Sequence, residues 1–331
     1  MKKLVVFLFV LTGFSVFAQF PGCPNIIADP DMVLPCTQNC VTLNATPFAV
    51  GNTTTYSVSS IPHAPPIAYG AAGGTSVSVG TDDIWSPNVL LPFPFCFYGT
   101  TYNDCQIGSN GSIDFGGPST PGGFCPWSFT AGCPSAALTS AGDIFGVYHD
   151  IDPTVAGTVK WYLQGTAPCR ILIVVFNNLG HFSCTSMRST HMMVLYETTN
   201  VIDVYINRKD LCTTWNGGNA VVGVQNQAGS AGVAAPGRNS PTPDWTVTTG
   251  APEGWRFTPN GAPIYTVQWY TGAVAGVGGT LIGTGNSINV CPNGVTTTYT
   301  AKVTYTRCDG LVITDYDDVV VSYAALPAPT V

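Results

Sequence analysis

Residues 170–226 read RILIVVFNNLGHFSCTSMRSTHMMVLYETTNVIDVYINRKDLCTTWNGGNAVVGVQN. Four runs in this stretch have strand character. Residues 171–176 and 191–197 are nearly continuous apolar runs. Residues 201–206 alternate, with Ile202, Val204 and Ile206 on one face and Asp203 and Tyr205 on the other. Residues 220–225 form the fourth run. Short runs rich in Val, Ile, Tyr and Met, bounded by Gly and Asn, fit strands and not helices. Only Thr198, Thr199 and Asn200 separate the second run from the third, which leaves room for a tight hairpin alone. Cys184 and Cys212 lie almost symmetrically about that turn. If the ladder continues outward their sulfurs meet, so the spacing predicts a Cys184–Cys212 disulfide.

The remainder of the chain carries the same signature. It has 331 residues, of which 45% are hydrophobic and only 9% charged, with a net charge of −7. That hydrophobic share excludes a disordered chain. The acidic balance excludes non-specific binding to nucleic acid or to an anionic membrane. The opening MKKLVVFLFVLTGFSVFA is a basic start, an apolar core and a small-residue cleavage site. It reads as a signal peptide over 1–18, too short for a spanning helix, and no later segment could enter a membrane after its removal. The expected location is therefore secreted or cell-surface. The 12 cysteines are even in number, and export permits disulfides. No paired CxxC spacing offers a zinc site.

Read in order, 19–45 is a cysteine-containing entry segment with Cys36 and Cys40, and 46–259 is a β domain. Its 91–115 stretch, LPFPFCFYGTTYNDCQIGSNGSIDF, has turns at Gly99-Thr100-Thr101 and at Asn110-Gly111, the latter a strong hairpin signal. Cys96 and Cys105 flank the first turn, and the spacing allows a cross-hairpin Cys96–Cys105 bond. Residues 116–140 form a long Gly/Pro loop that Cys125 and Cys133 are expected to pin. Residues 228–258 are poor in strand pattern. After Asn260-Gly261-Ala262-Pro263 the pattern changes. Residues 260–325 show short strands at close spacing, including a long alternating one with Tyr299, Ala301, Val303 and Tyr305 on one face, and suggest a small Ig-like sandwich with Trp269 in its core. Parity favours Cys291–Cys308 there, but a strand of about ten residues spans ~33 Å and separates them, so that pairing stays open. Residues 326–331 look like the start of a linker, and the natural protein is expected to continue.

Taken together, the pieces in 89–226 resemble the nidogen-like (NIDO) extracellular domain. LPFPFCFYG with Tyr102 and IGSNGSIDF is similar to that family's opening. FGVYHDIDP with GTVKWYL is similar to its aspartate-bearing middle strand, and RILIVVF, MMVLYETTNVIDVYI and AVVGVQN to its closing strands. The arrangement also resembles surface proteins of gliding Bacteroidetes, where such a module precedes Ig-like repeats and a type IX sorting domain; no sorting domain precedes Val331 here. The resemblance implies an all-β fold, a nidogen-like sandwich or barrel followed by an Ig-like sandwich, and adhesion without catalytic residues.

The residues themselves carry few groups suited to chemistry. His149, Asp150 and Asp152 form the most site-like cluster. Carboxylates one residue apart on an extended chain point the same way, and calcium takes oxygen ligands, so Asp150 and Asp152 are the expected pair if any cofactor binds. The competing reading is that they cap a turn. His181 and His191 could ligate a metal, but no HExxH accompanies them. Ser109 sits in Gly108-Ser109-Asn110-Gly111, which is no nucleophile elbow. Glu197 and Glu253 are the only glutamates, and Glu197 is expected at a solvated edge. Trp127, Trp161, Trp215, Trp245 and Trp255 could form a sugar platform, with Trp215 expected to be the most exposed. The expected function is a non-enzymatic secreted adhesion protein, with an extracellular glycan or protein surface as partner. The second reading is a carbohydrate-binding accessory region of a larger secreted polysaccharide-degrading enzyme.

Overall fold

The computed structural model describes residues 21–116, 120–240, 244–272, 279–294 and 296–324. The expected signal peptide and the linker start lie outside them. At the centre, the strands Ile171–His181, Arg188–Tyr196 and Ile202–Lys209 run antiparallel side by side, with Ile171 opposite Tyr196 and Leu195 opposite Ile202. Both faces of this sheet are buried. Leu172, Val174, Phe176, Met193, Leu195 and Val204 enter the main core, while Ile173, Val175, Met192 and Val194 pack on the other side beneath Ile67, Tyr69 and Tyr162. Double burial explains why two of these strands read as continuous apolar runs.

These three strands belong to an eight-stranded sheet that also holds Tyr56–Ile61, Glu253–Pro259, Thr158–Gln164, Thr75–Ser76 and the short Ile151–Asp152. Against it lies a six-stranded sheet in the order Gly232–Asn239, Val221–Gln225, Ile144–Tyr148, Ser112–Phe115, Thr100–Gly108, Val89–Phe97. Residues of both sheets share one core, so the unit is a β-sandwich. The fourth run of the opening stretch therefore crosses to the second sheet. Residues 228–258 contain two strands that the pattern did not show. Gly232–Asn239 is an edge strand, where Pro236 is tolerated because no ladder bond is asked of it.

The sequence divisions change at the N-terminus. The entry segment 19–45 is not separate: Val41–Pro47 pairs with Ile26–Ala28 on one side and with Ser287–Val290 on the other in a three-stranded sheet. Met32–Leu34 joins Val312–Tyr323 in parallel, at the edge of a five-stranded sheet that also contains Thr280–Thr284, Tyr265–Thr271 and Thr296–Thr306. The cause is burial. Ile26, Leu34, Leu43 and Ala45 share a core with Trp269, Tyr299, Ala301, Val303 and Tyr305. The second unit is thus built from both ends of the described chain.

Sulfur bonding follows this topology. Cys184 bonds to Cys212. Cys96 bonds to Cys308 and not to Cys105. The strands turn at Tyr98-Gly99, so the ladder puts Cys96 opposite Thr101 and Cys105 opposite Val89, and Cys105 remains a buried thiol. Cys291 bonds to Cys40 and not to Cys308, as the intervening eleven-residue strand requires. Cys125 and Cys133 are both buried and unbonded. Their loop is held by backbone instead, with the amides of Gly122, Trp85 and Cys125 donating to Trp85, Gly123 and Asp83 carbonyls. Cys23–Cys169 and Cys96–Cys308 tie the two units together.

Candidate functional site

One end of the larger sandwich collects most of the chemistry-bearing side chains. Its organiser is Asn110, fully buried in the turn between Thr100–Gly108 and Ser112–Phe115. The Asn110 Oδ1 accepts from the Ile151 amide at 2.9 Å, which fixes the chain just after Asp150. Its Nδ2 donates to Asp83 Oδ1 at 2.8 Å and to the Cys125 carbonyl at 3.0 Å. Three segments distant in sequence are thereby tied to one side chain. The sequence showed Asn110 only as a turn residue, and the turn is real: Gly111 has φ +86°, where a side chain is strained.

The carboxylates of Asp82, Asp83 and Asp150 converge here, with one oxygen of each within 4.8 Å of the others. Asp152, the expected partner of Asp150, is outside this group. Its Oδ1 accepts from the Thr154 amide at 2.8 Å and the Thr154 hydroxyl at 2.5 Å, so it caps its own turn. Asp150 is 5% exposed; its Oδ2 accepts from Trp215 Nε1 at 2.6 Å, and its Oδ1 has no partner. The Asp82 Oδ1 is likewise buried without a partner. Burial raises Asp150 to about 7, helped by the charges of Asp83, Asp82 and Asp152 and opposed by the Trp215 hydrogen bond. Burial and the neighbouring Asp83 and Asp152 charges raise Asp82 to about 6. Asp83 is raised mainly by burial, against the Asn110 hydrogen bond. Among the described residues, none of these aspartates makes an ion pair with a basic side chain.

Beside the acids stands an aromatic ledge. The Trp215 ring lies 5.3 Å from Trp127 and 4.9 Å from Phe182, centre to centre, and all three are half-buried. Phe124, whose backbone bridges to Ile84, is 66% exposed nearby in sequence. Trp215, expected to be the most exposed of the tryptophans, is half-buried, and its N–H ties the ring to Asp150. Trp161 and Trp255 are half-buried against the main core, and Trp245 is buried under Arg238 and Lys209. The cavity beneath Trp215, lined by His149, Asp150, His181 and Lys209, has a volume of only ≈ 10 Å³. That is room for about one water-sized body, so anything larger must sit on the ledge, not inside.

Behind the ledge lies a buried polar layer. His149 Nε2 and His181 Nε2 each contact the Ser189 hydroxyl at 2.9 Å. His191 stacks on Phe176. Burial holds His149 well below the usual range, lowers His181 to about 4 and lowers His191 to about 3. Lys209, lowered to about 8 by burial, donates to the carbonyls of Gly218 and Trp245. The two glutamates are both committed to ion pairs. Glu253 binds Arg238, and Glu197 is not a solvated edge but is buried between Arg170 and Arg307.

An all-β, sulfur-bridged sandwich presenting side chains from loops at one end is the architecture of a surface interaction module. Residues 62–263 match the model of the family described as NIDO related, and the chain belongs to that family. No curated protein and no solved structure matches it. None of the helices among the described residues is long and apolar enough to cross a membrane.

Proposed function

We propose that the protein is a non-enzymatic, extracellular adhesion module that engages its partner through the Trp215 end of the larger sandwich. The observation that carries this reading is the Trp127–Trp215–Phe182 ledge, half-buried and flanked by the amides of Asn216 and Asn219. Rigid aromatics with polar neighbours give large contact area at small ordering cost, and they suit either a sugar ring or a protein surface. The smaller unit, with Trp269 central in its core, serves on this reading as an Ig-like spacer. The family match and the disulfides support an extracellular setting. Export as type IX cargo of gliding cells belongs to the same proposal and rests on the sequence resemblance alone. The carbohydrate-binding reading draws on the same ledge, since an aromatic pair beside amides is what a sugar face needs.

The test is binding of the secreted protein to a glycan array and to cell-surface protein preparations, alongside Trp215→Ala. Retained folding with at least a tenfold loss of binding in the variant, about 1.4 kcal/mol, supports the reading. Unchanged binding in the variant would remove the ledge from the mechanism.

A further inference from the structure

We infer that Asp82, Asp83 and Asp150 form a calcium site that locks the loops beneath the aromatic ledge. This goes beyond the adhesion reading and does not need it, because the ion is expected to bind whether or not a partner does.

The geometry comes first. One oxygen from each of the three carboxylates lies within 4.8 Å of the others, so a single ion can touch all three. Calcium collects six to eight oxygens at 2.3–2.6 Å as a general rule, which leaves further positions for water. The second observation is the orphaned oxygen. Asp150 is 5% exposed, and its Oδ1 meets no donor although its Oδ2 accepts from Trp215 Nε1. A buried carboxylate oxygen without a donor costs free energy, and such groups in folded proteins are satisfied by a hydrogen bond or an ion. The Asp82 Oδ1 shares that condition from the opposite loop.

Hydrogen bonding also disposes the site for a cation. The donors already present, Asn110 Nδ2 and Trp215 Nε1, are each spent on one oxygen of Asp83 and Asp150 and hold those side chains in place. No basic side chain pairs with any of the three among the described residues. His149, next to Asp150, turns its Nε2 to Ser189, and Lys209 spends its ammonium on carbonyls. An all-oxygen, acid-rich set favours a hard cation over zinc or copper. Asp152 stays outside as the cap of its turn and adds only a nearby negative charge.

The consequence is mechanical. The Asp82–Asp83 loop, the Asn110 turn and the Trp215 loop converge on this point, and Trp215 is bonded directly to one ligand residue. Binding the ion would therefore fix the ledge without touching the partner.

The test uses calcium alone, on the secreted protein stripped with chelator. One calcium per chain is expected by titration calorimetry, with a melting temperature raised by several degrees and a smaller response to magnesium. Terbium in the same site is expected to show emission sensitised by Trp215, which sits against Asp150, and Trp215→Phe would dim it. The Asp82→Asn/Asp83→Asn variant should lose the calcium shift while its chelated form melts no lower than wild type, since like charges have been removed. Asp82→Asn alone serves if the double variant folds poorly. No heat and no shift with millimolar calcium, or a shift retained in these variants, would overturn the site. Because no glycan or protein partner is present, failure here is separable from failure of the ledge.

Discussion

His191 shows how much a single buried side chain can say. It is fully buried and stacked on Phe176 with ring centres 4.5 Å apart, and neither of its nitrogens has a partner. Burial lowers it to about 3, against an ordinary value near 6.5. Above pH ~6.5 both folded and unfolded chains hold it neutral. As pH falls below that value the unfolded chain takes a proton that the folded one refuses, so stability drains away toward the folded value, at up to about 1.4 kcal/mol per pH unit. Asp82, Asp150 and Asp143, all raised by burial, work in the opposite direction over the same range. The whole protein's pH profile is thus a sum, and a difference measurement isolates the histidine. His191→Leu should carry some fixed packing cost at pH 7.5. That deficit should shrink by about 2–3 kcal/mol at pH 4.5, read from denaturant melts at both values. A deficit independent of pH would mean that His191 is not held neutral in the fold.

At the scale of elements, the Asn110–Gly111 turn is where a local sequence signal and the site coincide. A Cβ on Gly111 would lie 2.4 Å from the Val147 carbonyl oxygen, and its φ of +86° suits glycine alone. Gly111→Ala is therefore expected to cost about 2–4 kcal/mol in a urea melt and to loosen Asn110 from Asp83 and Ile151. A variant as stable as wild type would show that the turn has room to relax. The turn, the central hairpins and the alternating face of Tyr299–Tyr305 were legible in the sequence because their partners are near neighbours and their periodicity records burial. The acidic group was half-legible: Asp150 stood out beside His149, but Asp82 and Asp83 belong to a loop that only the folded sandwich brings to it. The disulfides divided in the same way. Cys184 and Cys212 flank one element pair, whereas the Cys40–Cys291 bond spans 251 residues and follows from the N-terminal strands crossing into the second unit, and the Cys96–Cys308 bond spans 212 and joins the two units. No local pattern encodes that crossing, because Ile26, Leu43 and Ala45 read as strand residues without saying which sheet they join.

Over the whole molecule, the two units are fastened at one junction by two means. Cys23–Cys169 and Cys96–Cys308 are covalent, and Arg307 of the smaller unit reaches Glu197 of the larger at 3.2 Å. The side chains of Arg307 and Glu197 are 3% and 2% exposed, so neither has water to fall back on. Arg170 adds a second cation to Glu197 at 2.6 Å, and Phe48 packs against the smaller unit's core and against the apolar cluster on the outer face of the larger unit's central sheet. Burial pushes Glu197 up, but hydrogen bonds from the Arg170 side chain and amide, with Arg307 behind them, hold it below its ordinary value. With its folded value depressed, its contribution is present above the unfolded value near 4.3 and is lost as pH falls through the folded one. Replacing one partner of such a buried pair strands the other and typically costs 3–5 kcal/mol. Glu197→Gln in the oxidised protein should therefore lower the melting temperature at pH 7 while leaving a single transition, because the sulfur bonds still couple the units. Removing both junction disulfides by Cys23→Ser and Cys96→Ser in the same background should split the calorimetric trace into two transitions, one for each core. A single sharp transition in that variant would mean that the Phe48 contacts and the remaining surface suffice to make the two sandwiches one cooperative body.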